Sequence, residues 1–324
     1  MRMLRFSLYT ALVLSLLFAG SGCRRAQRVS APAEPHPQQT VIREIQEFEK
    51  SFGFEATGSF SRHSPGKQAF YRCYYVEKLK LPDSYSGLRI KDGSPQGCNV
   101  EEQRYDVFFY RIEAVASPKT PTTEALAEAS LERLAVVVPH EDYHQQKSVR
   151  RLPGTLGEAS ATLVGFLTGA EYAKTFHGAD SALSKNLAGE AETFLAKAEI
   201  VNRFHARLST VYAQANAGKI SRATALSEKQ RLFEELKQSC EAITPNPSSF
   251  NKCPPAMNNA GLAFDHTYTK HYALMYRLAL GHGKDVRSLV ETLSQLPAAS
   301  GRSEENAVTY LERIVKQRQP APAG

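Results

Sequence analysis

Residues 136–146 read VVVPHEDYHQQ, and how this stretch folds decides how the chain around it is organised. In a helix, positions four apart lie on one face, so His140 and His144 can turn imidazole nitrogens toward a single ion. Glu141 projects beside that face, where it could take a proton from a water made acidic by zinc. H-E-x-x-H is a zinc signature with these mechanics, although five residues also fit a pattern by chance. Pro139 leaves two arrangements open. It is either the first residue of a new helix, where its missing N–H costs nothing, or a kink in a helix that starts near Thr120. Both keep His140 to His144 helical. Asp142, about 100° around the helix from its neighbours, points elsewhere and need not touch a metal.

A catalytic zinc needs a third protein ligand and an open fourth position. The next candidate is Glu158 in PGTLGEASATLVGF, fourteen residues beyond His144. That gap lets the first helix end, the chain turn at Leu152-Pro153-Gly154, and a second helix begin. Two antiparallel helices would set Glu158 against the histidine pair, and the small Ala159, Ser160 and Ala161 would let them approach closely. The alternative for Glu158 is a first-turn glutamate favoured by the helix dipole.

Working outward, residues 1–22 read as a secretory signal: Arg2 and Arg5, an apolar run from Leu8 to Phe18, then small residues up to Cys23. A cysteine at that place resembles a bacterial lipoprotein signal in which Cys23 becomes the lipidated first residue, though Gly20 stands where leucine is usual. Otherwise cleavage leaves a free thiol. Residues 23–39, rich in Pro, Ala, Gln and Arg, read as a lipid-anchored flexible tether, and 319–324 as a disordered tail. Residues 1–34 hold five arginines and one glutamate, so +4 of the net +7 lies there and only +3 in the rest. With no basic stripe interleaved with aromatics, the charge does not point to nucleic acid. Cys73, Cys98, Cys240 and Cys253 make an even number in an exported chain, which suggests disulfides. Neighbours are the first choice, Cys73 with Cys98 and Cys240 with Cys253, but the sequence does not select among the three pairings.

Residues 40–318 remain for one domain, with a mixed part at 40–118 and a helical part at 119–297. Val41, Ile42, Ile45, Phe48 and Phe52 share a helical face, and Gly53 ends that helix. Residues 68–77 and 104–116 read as strands joined by a turn-rich loop. Helices are expected from Thr120-Pro121 onward, then over 155–176, 180–215, 219–243, 257–280 and 284–296. The fold class is α+β, a small β-containing part followed by a mostly helical, zincin-like one.

The order of these features resembles a family. H-E-x-x-H followed by a helix-borne E-x-x-A resembles gluzincin metallopeptidases. Closer still is the bacterial group of predicted aminopeptidases, exported and often lipoproteins. This chain has His140-Glu141 and His144-Gln145, then Glu158 to Thr162 (EASAT). Two charged helices over 180–243 follow, and Asn258 to Leu262 (NNAGL) with Tyr268 after them. The resemblance implies that His140, His144 and Glu158 bind Zn2+, that Glu141 is the general base, and that Tyr268 donates to the oxyanion. His266, His271 and Tyr272 lie near enough in sequence to serve instead, and Tyr268 could equally be a core aromatic. Asn258 and Asn259 could cap a helix. The group usually has asparagine before the metal glutamate; here it is Gly157.

The expectation is therefore a zinc-dependent peptidase of the bacterial envelope, acting on a peptide or protein and held to the membrane through Cys23. The alternative is a non-catalytic metal- or partner-binding lipoprotein, whose site would be closed by a fourth ligand such as Asp142 or His177. A nonpeptide metallohydrolase shares the zinc chemistry. His36 lies in the tether, and His63, His177, His205 and His282, without a partner at metal spacing, read as solvated or satisfied core residues.

Overall fold

Helix α1 (Pro37–Glu49) buries Ile42 and Ile45 as its apolar spacing requires, and Gly53, at φ 88°, ends the short 3-10 turn that follows. A left-handed residue is cheap only as glycine, which is why the helix stops there. The protein is described by a computed structural model that covers residues 37–318 except 65, 116, 118, 148, 245–252, 255 and 297–302. Cys23, the signal, residues 23–36 of the tether and the tail lie outside the described residues, while Pro37 to Gln39, expected to be tether, instead form the first turn of α1.

The two expected strands are β1 (Phe70–Glu77) and β3 (Tyr105–Ile112), and they pair antiparallel. A third strand, β2 (Arg89–Asp92), pairs with the other edge of β1 inside the stretch expected to be loop, giving the order β2-β1-β3. All four of its residues, RIKD, are exposed. An edge strand with no buried face has no alternation to read, and its charges keep the edge from pairing with other chains.

The helix expected from Thr120 is two. Thr123 accepts a hydrogen bond from the Leu126 N–H and caps α2 (Glu124–Ala127); Ser130 does the same for Arg133 and caps α3 (Leu131–Gln145). Each cap satisfies a donor that a helix start leaves unpaired, so two caps make two starts. Then come α4 (Gly154–His177), α5 (Ala182–Ala188), α6 (Glu190–Asn216) and α7 (Arg222–Glu241). The series ends with α8 (Asn259–Thr269), α9 (Tyr272–Leu280), α10 (Val286–Ser294) and α11 (Glu304–Arg318). The spans expected over 180–215 and 257–280 each break once, at Gly189 and at Lys270–His271. At the second break Lys270 and His271 both pair with Glu304 of α11, contacts that only the tertiary fold supplies.

The fold is α+β. Helix α4 is apolar on nearly every side and runs through the main core, with α1, α3, α9 and α10 against it. A second core lies between α6 and α7, and a third lies where Tyr74, Val76 and Phe108 of the sheet cover Ala260, Ala263 and Phe264 of α8. Helix α8 thus stands among the sheet, α4 and α6, which fixes what its side chains can reach. Both neighbour disulfides form, Cys73–Cys98 and Cys240–Cys253, with Cα atoms 5.8 and 5.9 Å apart. Closing a loop of 13 residues, as the second does, removes roughly 3 kcal/mol of unfolded-chain entropy. Among the described residues, no helix is long and apolar enough to cross a membrane.

Candidate metal centre

Pro139 lies inside α3, so it does not open a new helix, and the helix that contains it starts at Leu131 rather than near Thr120. Proline has no N–H to give the Ala135 carbonyl. That carbonyl faces Gly169 of α4, where a Cβ would stand 2.7 Å from its oxygen. One turn away, a Cβ at Gly165 would stand 2.8 Å from the Val136 oxygen and 3.2 Å from the His140 Cβ. The close approach of α3 to α4 therefore rests on two glycines four residues apart, on one helix face. Ala159, Ser160 and Ala161 are also buried, but the tightest contacts lie further along α4. The spacing of Gly165 and Gly169 was readable in the sequence; which helix they face was not.

The helices run antiparallel, and their near ends bring three side chains together. His140 Nε2 and His144 Nε2 lie 3.2 Å apart. Glu158 Oε2 is 3.0 Å from His144 Nε2 and 3.5 Å from His140 Nε2. A tetrahedral zinc with bonds of about 2.0–2.1 Å spaces its ligand atoms about 3.3 Å apart. Two imidazoles and a carboxylate at these separations match one face of that tetrahedron, so the residues fit zinc in both chemistry and spacing. Each is partly buried, with side-chain exposures of 17%, 22% and 12% for His140, His144 and Glu158.

The electrostatics show how tightly the trio is coupled. Burial pushes His144 down, but the Glu158 carboxylate, its hydrogen bond and Glu141 outweigh it and raise His144 to about 9. Burial would raise Glu158, and the two imidazoles instead hold it far below the usual carboxylate range. A cation bound among them would satisfy the same negative charge.

The other oxygen of Glu158 is taken as well: the Tyr85 hydroxyl donates to Oε1 at 3.0 Å. Tyr85 opens a 3-10 turn (Tyr85–Gly87) in the stretch read from sequence as loop, and nothing in PDSYSG marks it. Beyond the trio lies a cavity of about 220 Å³ walled in part by His140, Glu141, Tyr110, Phe264 and Tyr268. Its wall also holds the ion pairs Glu113–Arg133 and Lys197–Asp265, the second at 2.7 Å and almost wholly buried. The Tyr268 ring lies 6.3 Å from that of His140, and burial first, then Glu158, pushes its hydroxyl well above the usual range, so it keeps its proton and can donate. Tyr110 is raised by burial in the same way.

The other sequence candidates point elsewhere. His266 hydrogen-bonds to the Asp83 carbonyl, His271 to Glu304, and the Tyr272 hydroxyl to the Ala191 carbonyl. Asn258 caps α8 by accepting from the Gly261 N–H, while Asn259 is buried and donates to the Lys78 and Lys80 carbonyls. Asp142 is turned to Gln46 and Thr57, beside the buried Glu49, which burial and Asp142 hold well above the usual carboxylate range. His177 ends α4, about 28 Å along the helix from Glu158 at roughly 1.5 Å per residue. Neither is a fourth ligand. At Gly157, where the resemblance leads one to expect asparagine, an added Cβ would meet nothing within 4 Å.

A second group of possible ligands, Asp83, His205 and His266, lies apart from this one. His205 Nε2 is 3.0 Å from the Pro82 carbonyl and His266 Nδ1 is 2.8 Å from that of Asp83. A nitrogen facing a carbonyl carries its proton and has no lone pair for a metal. The rings are stacked in parallel, 3.7 Å between centroids, so although ligand atoms of the three residues lie within 4.8 Å of one another, each ring has one nitrogen already committed to a carbonyl. His205 is a satisfied buried histidine.

Comparison with curated proteins and with solved structures finds no match. A family model does match, over residues 100–308, a span that holds all of α3, α4 and α8 and so His140, Glu141, His144, Glu158 and Tyr268. The protein belongs to the family described as putative aminopeptidase.

Proposed function

We propose that the protein is a zinc-dependent peptidase of the bacterial envelope, anchored through a lipid on Cys23. The observation that carries the zinc reading is the triangle of His140 Nε2, His144 Nε2 and Glu158 Oε2, with sides of 3.0 to 3.5 Å. Zinc held there supplies a Lewis acid that polarises a carbonyl and makes water a stronger acid. Glu141, on the cavity side of the same helix, takes the proton from the attacking water as its oxygen bonds to the scissile carbon. It then returns that proton to the leaving nitrogen as the C–N bond breaks. Tyr268, still protonated, donates to the developing oxyanion from the cavity wall. Phe166, Phe194 and Phe264 give the cavity apolar surface for a substrate side chain. The two disulfides support an oxidising compartment.

The test is metal analysis of protein purified without chelator, followed by a peptide-library digest. One zinc per chain and cleavage are expected. Glu141→Gln should keep the zinc and lose roughly 100- to 10,000-fold in turnover. Zinc-free protein that stays zinc-free on reconstitution would sink the reading. Zinc-loaded protein that cuts no peptide would leave a metal-binding lipoprotein or a nonpeptide hydrolase.

A further inference from the structure

The residues that would hold zinc come from α3 and α4, but the carboxylate among them is also held by a residue from outside the matched family span. Glu158 divides its oxygens: Oε2 faces both histidines, while Oε1 accepts from the Tyr85 hydroxyl at 3.0 Å. A free carboxylate can rotate and offer an ion one oxygen or two. A donor fixed on one oxygen removes that choice and leaves the other as the single ligand atom.

The donor is itself fixed. The Tyr85 N–H donates to Thr267 Oγ1 at 2.8 Å, which ties the turn to α8 beside Tyr268. Upstream, Asn259 holds the Lys78 and Lys80 carbonyls, His205 and His266 hold those of Pro82 and Asp83, and Lys270 pairs with the Asp83 side chain. The Tyr85 ring rests against Phe264, centroids 5.8 Å apart, and Tyr74, 6.3 Å apart. So many anchors on a ten-residue stretch with no regular structure beyond one 3-10 turn have a consequence: the phenol arrives at Glu158 already oriented.

We propose that Tyr85 is a positioning residue for the metal ligand Glu158, presenting it to zinc through Oε2 alone. The inference rests on the zinc reading above. Tyr85 touches neither water nor substrate in this role; it acts through Glu158.

The test is Tyr85→Phe, which keeps the ring and removes the hydroxyl. Zinc affinity is measured by competition with a chelator, and the absorption spectrum of the cobalt-substituted protein reports ligand geometry. Zinc should bind about 10- to 100-fold more weakly, with a shifted cobalt spectrum, while in the presence of chelator the variant should still unfold cooperatively, at a melting temperature lowered only by the one hydrogen bond lost. Zinc affinity within threefold of wild type and an identical cobalt spectrum would overturn the inference while leaving the zinc reading intact. A wild type that binds no zinc defeats that reading instead. If Tyr85→Phe does not fold, Thr267→Val replaces it, since it keeps the phenol and frees the turn. A smaller loss in the same direction supports the inference, and unchanged zinc affinity overturns it.

Discussion

His140 and His144 meet edge to face, ring planes 77° apart, with both Nε2 atoms toward Glu158. His205 and His266 lie flat on each other, 6° between planes and 3.7 Å between centroids, with each bonded nitrogen spent on a backbone carbonyl. Each pair has a carboxylate nearby, Glu158 or Asp83, yet the charge response is opposite. Glu158 overcomes burial and lifts His144 to about 9. Burial, then the neighbouring His205, holds His266 at about 4 despite Asp83 and its carbonyl. Proximity of ligand-type residues is therefore not a metal site. The pair on one helix converges on a shared carboxylate; the pair from two helices was recruited to hold a loop.

The contrast breaks most sharply by exchange of roles. His144→Ala should lose zinc by more than the roughly 100-fold expected for an outer-shell partner, while His205→Leu should keep one zinc per chain; metal analysis of both decides. Next, Gly165→Ala should destabilise by about 1–3 kcal/mol and weaken zinc binding, because the added methyl meets the Val136 oxygen and the His140 Cβ. Gly157→Ala, with nothing to meet, should do neither, as denaturant unfolding and zinc titration will show. His205→Leu itself should lower stability by about 1–3 kcal/mol by stripping the Pro82 carbonyl of its donor, read from the urea midpoint.

The smallest effect is in pH. His266 faces His205, Asp83 and Lys270, and its depressed value means that the unfolded chain takes up a proton first as pH falls. Its contribution to stability is whole above about 6.5, the ordinary histidine value, and fades as pH drops toward about 4. His205, also lowered by burial, adds in the same direction. His144 runs the other way: with chelator present its contribution is whole below about 6.5 and is lost as pH rises through about 9. Urea midpoints of wild type and His266→Gln should differ less at pH 4.5 than at pH 7; a constant difference would show that the buried pair does not titrate as described.

Much of the molecule was legible because it depends on local spacing. The face of α1, its stop at Gly53, the two long strands and the position of α4 all follow from periodicity, whereas the cysteine pairs, taken as neighbours by first choice, were left open by the sequence. The approach of Glu158 to the histidines was legible too, since a helix, a short turn and a helix leave little freedom. The breaks at Glu128–Ser130 and Lys270–His271 were not legible, because apolar spacing continues across them and caps or distant ion pairs decide. Strand β2 has no buried face to pattern it.

What the sequence determined by itself is the trio of His140, His144 and Glu158 and the helices that carry it. Helical geometry converts spacing directly into a shared face, whatever surrounds it. What only the tertiary structure decided is everything reaching the trio from elsewhere in the chain. Tyr85 arrives from 73 residues away to hold Glu158, and Tyr268 rather than His266, His271 or Tyr272 faces the cavity. His205 and His266 fasten the loop that carries Tyr85. Such contacts join positions with no fixed spacing, so no local pattern in the sequence records them.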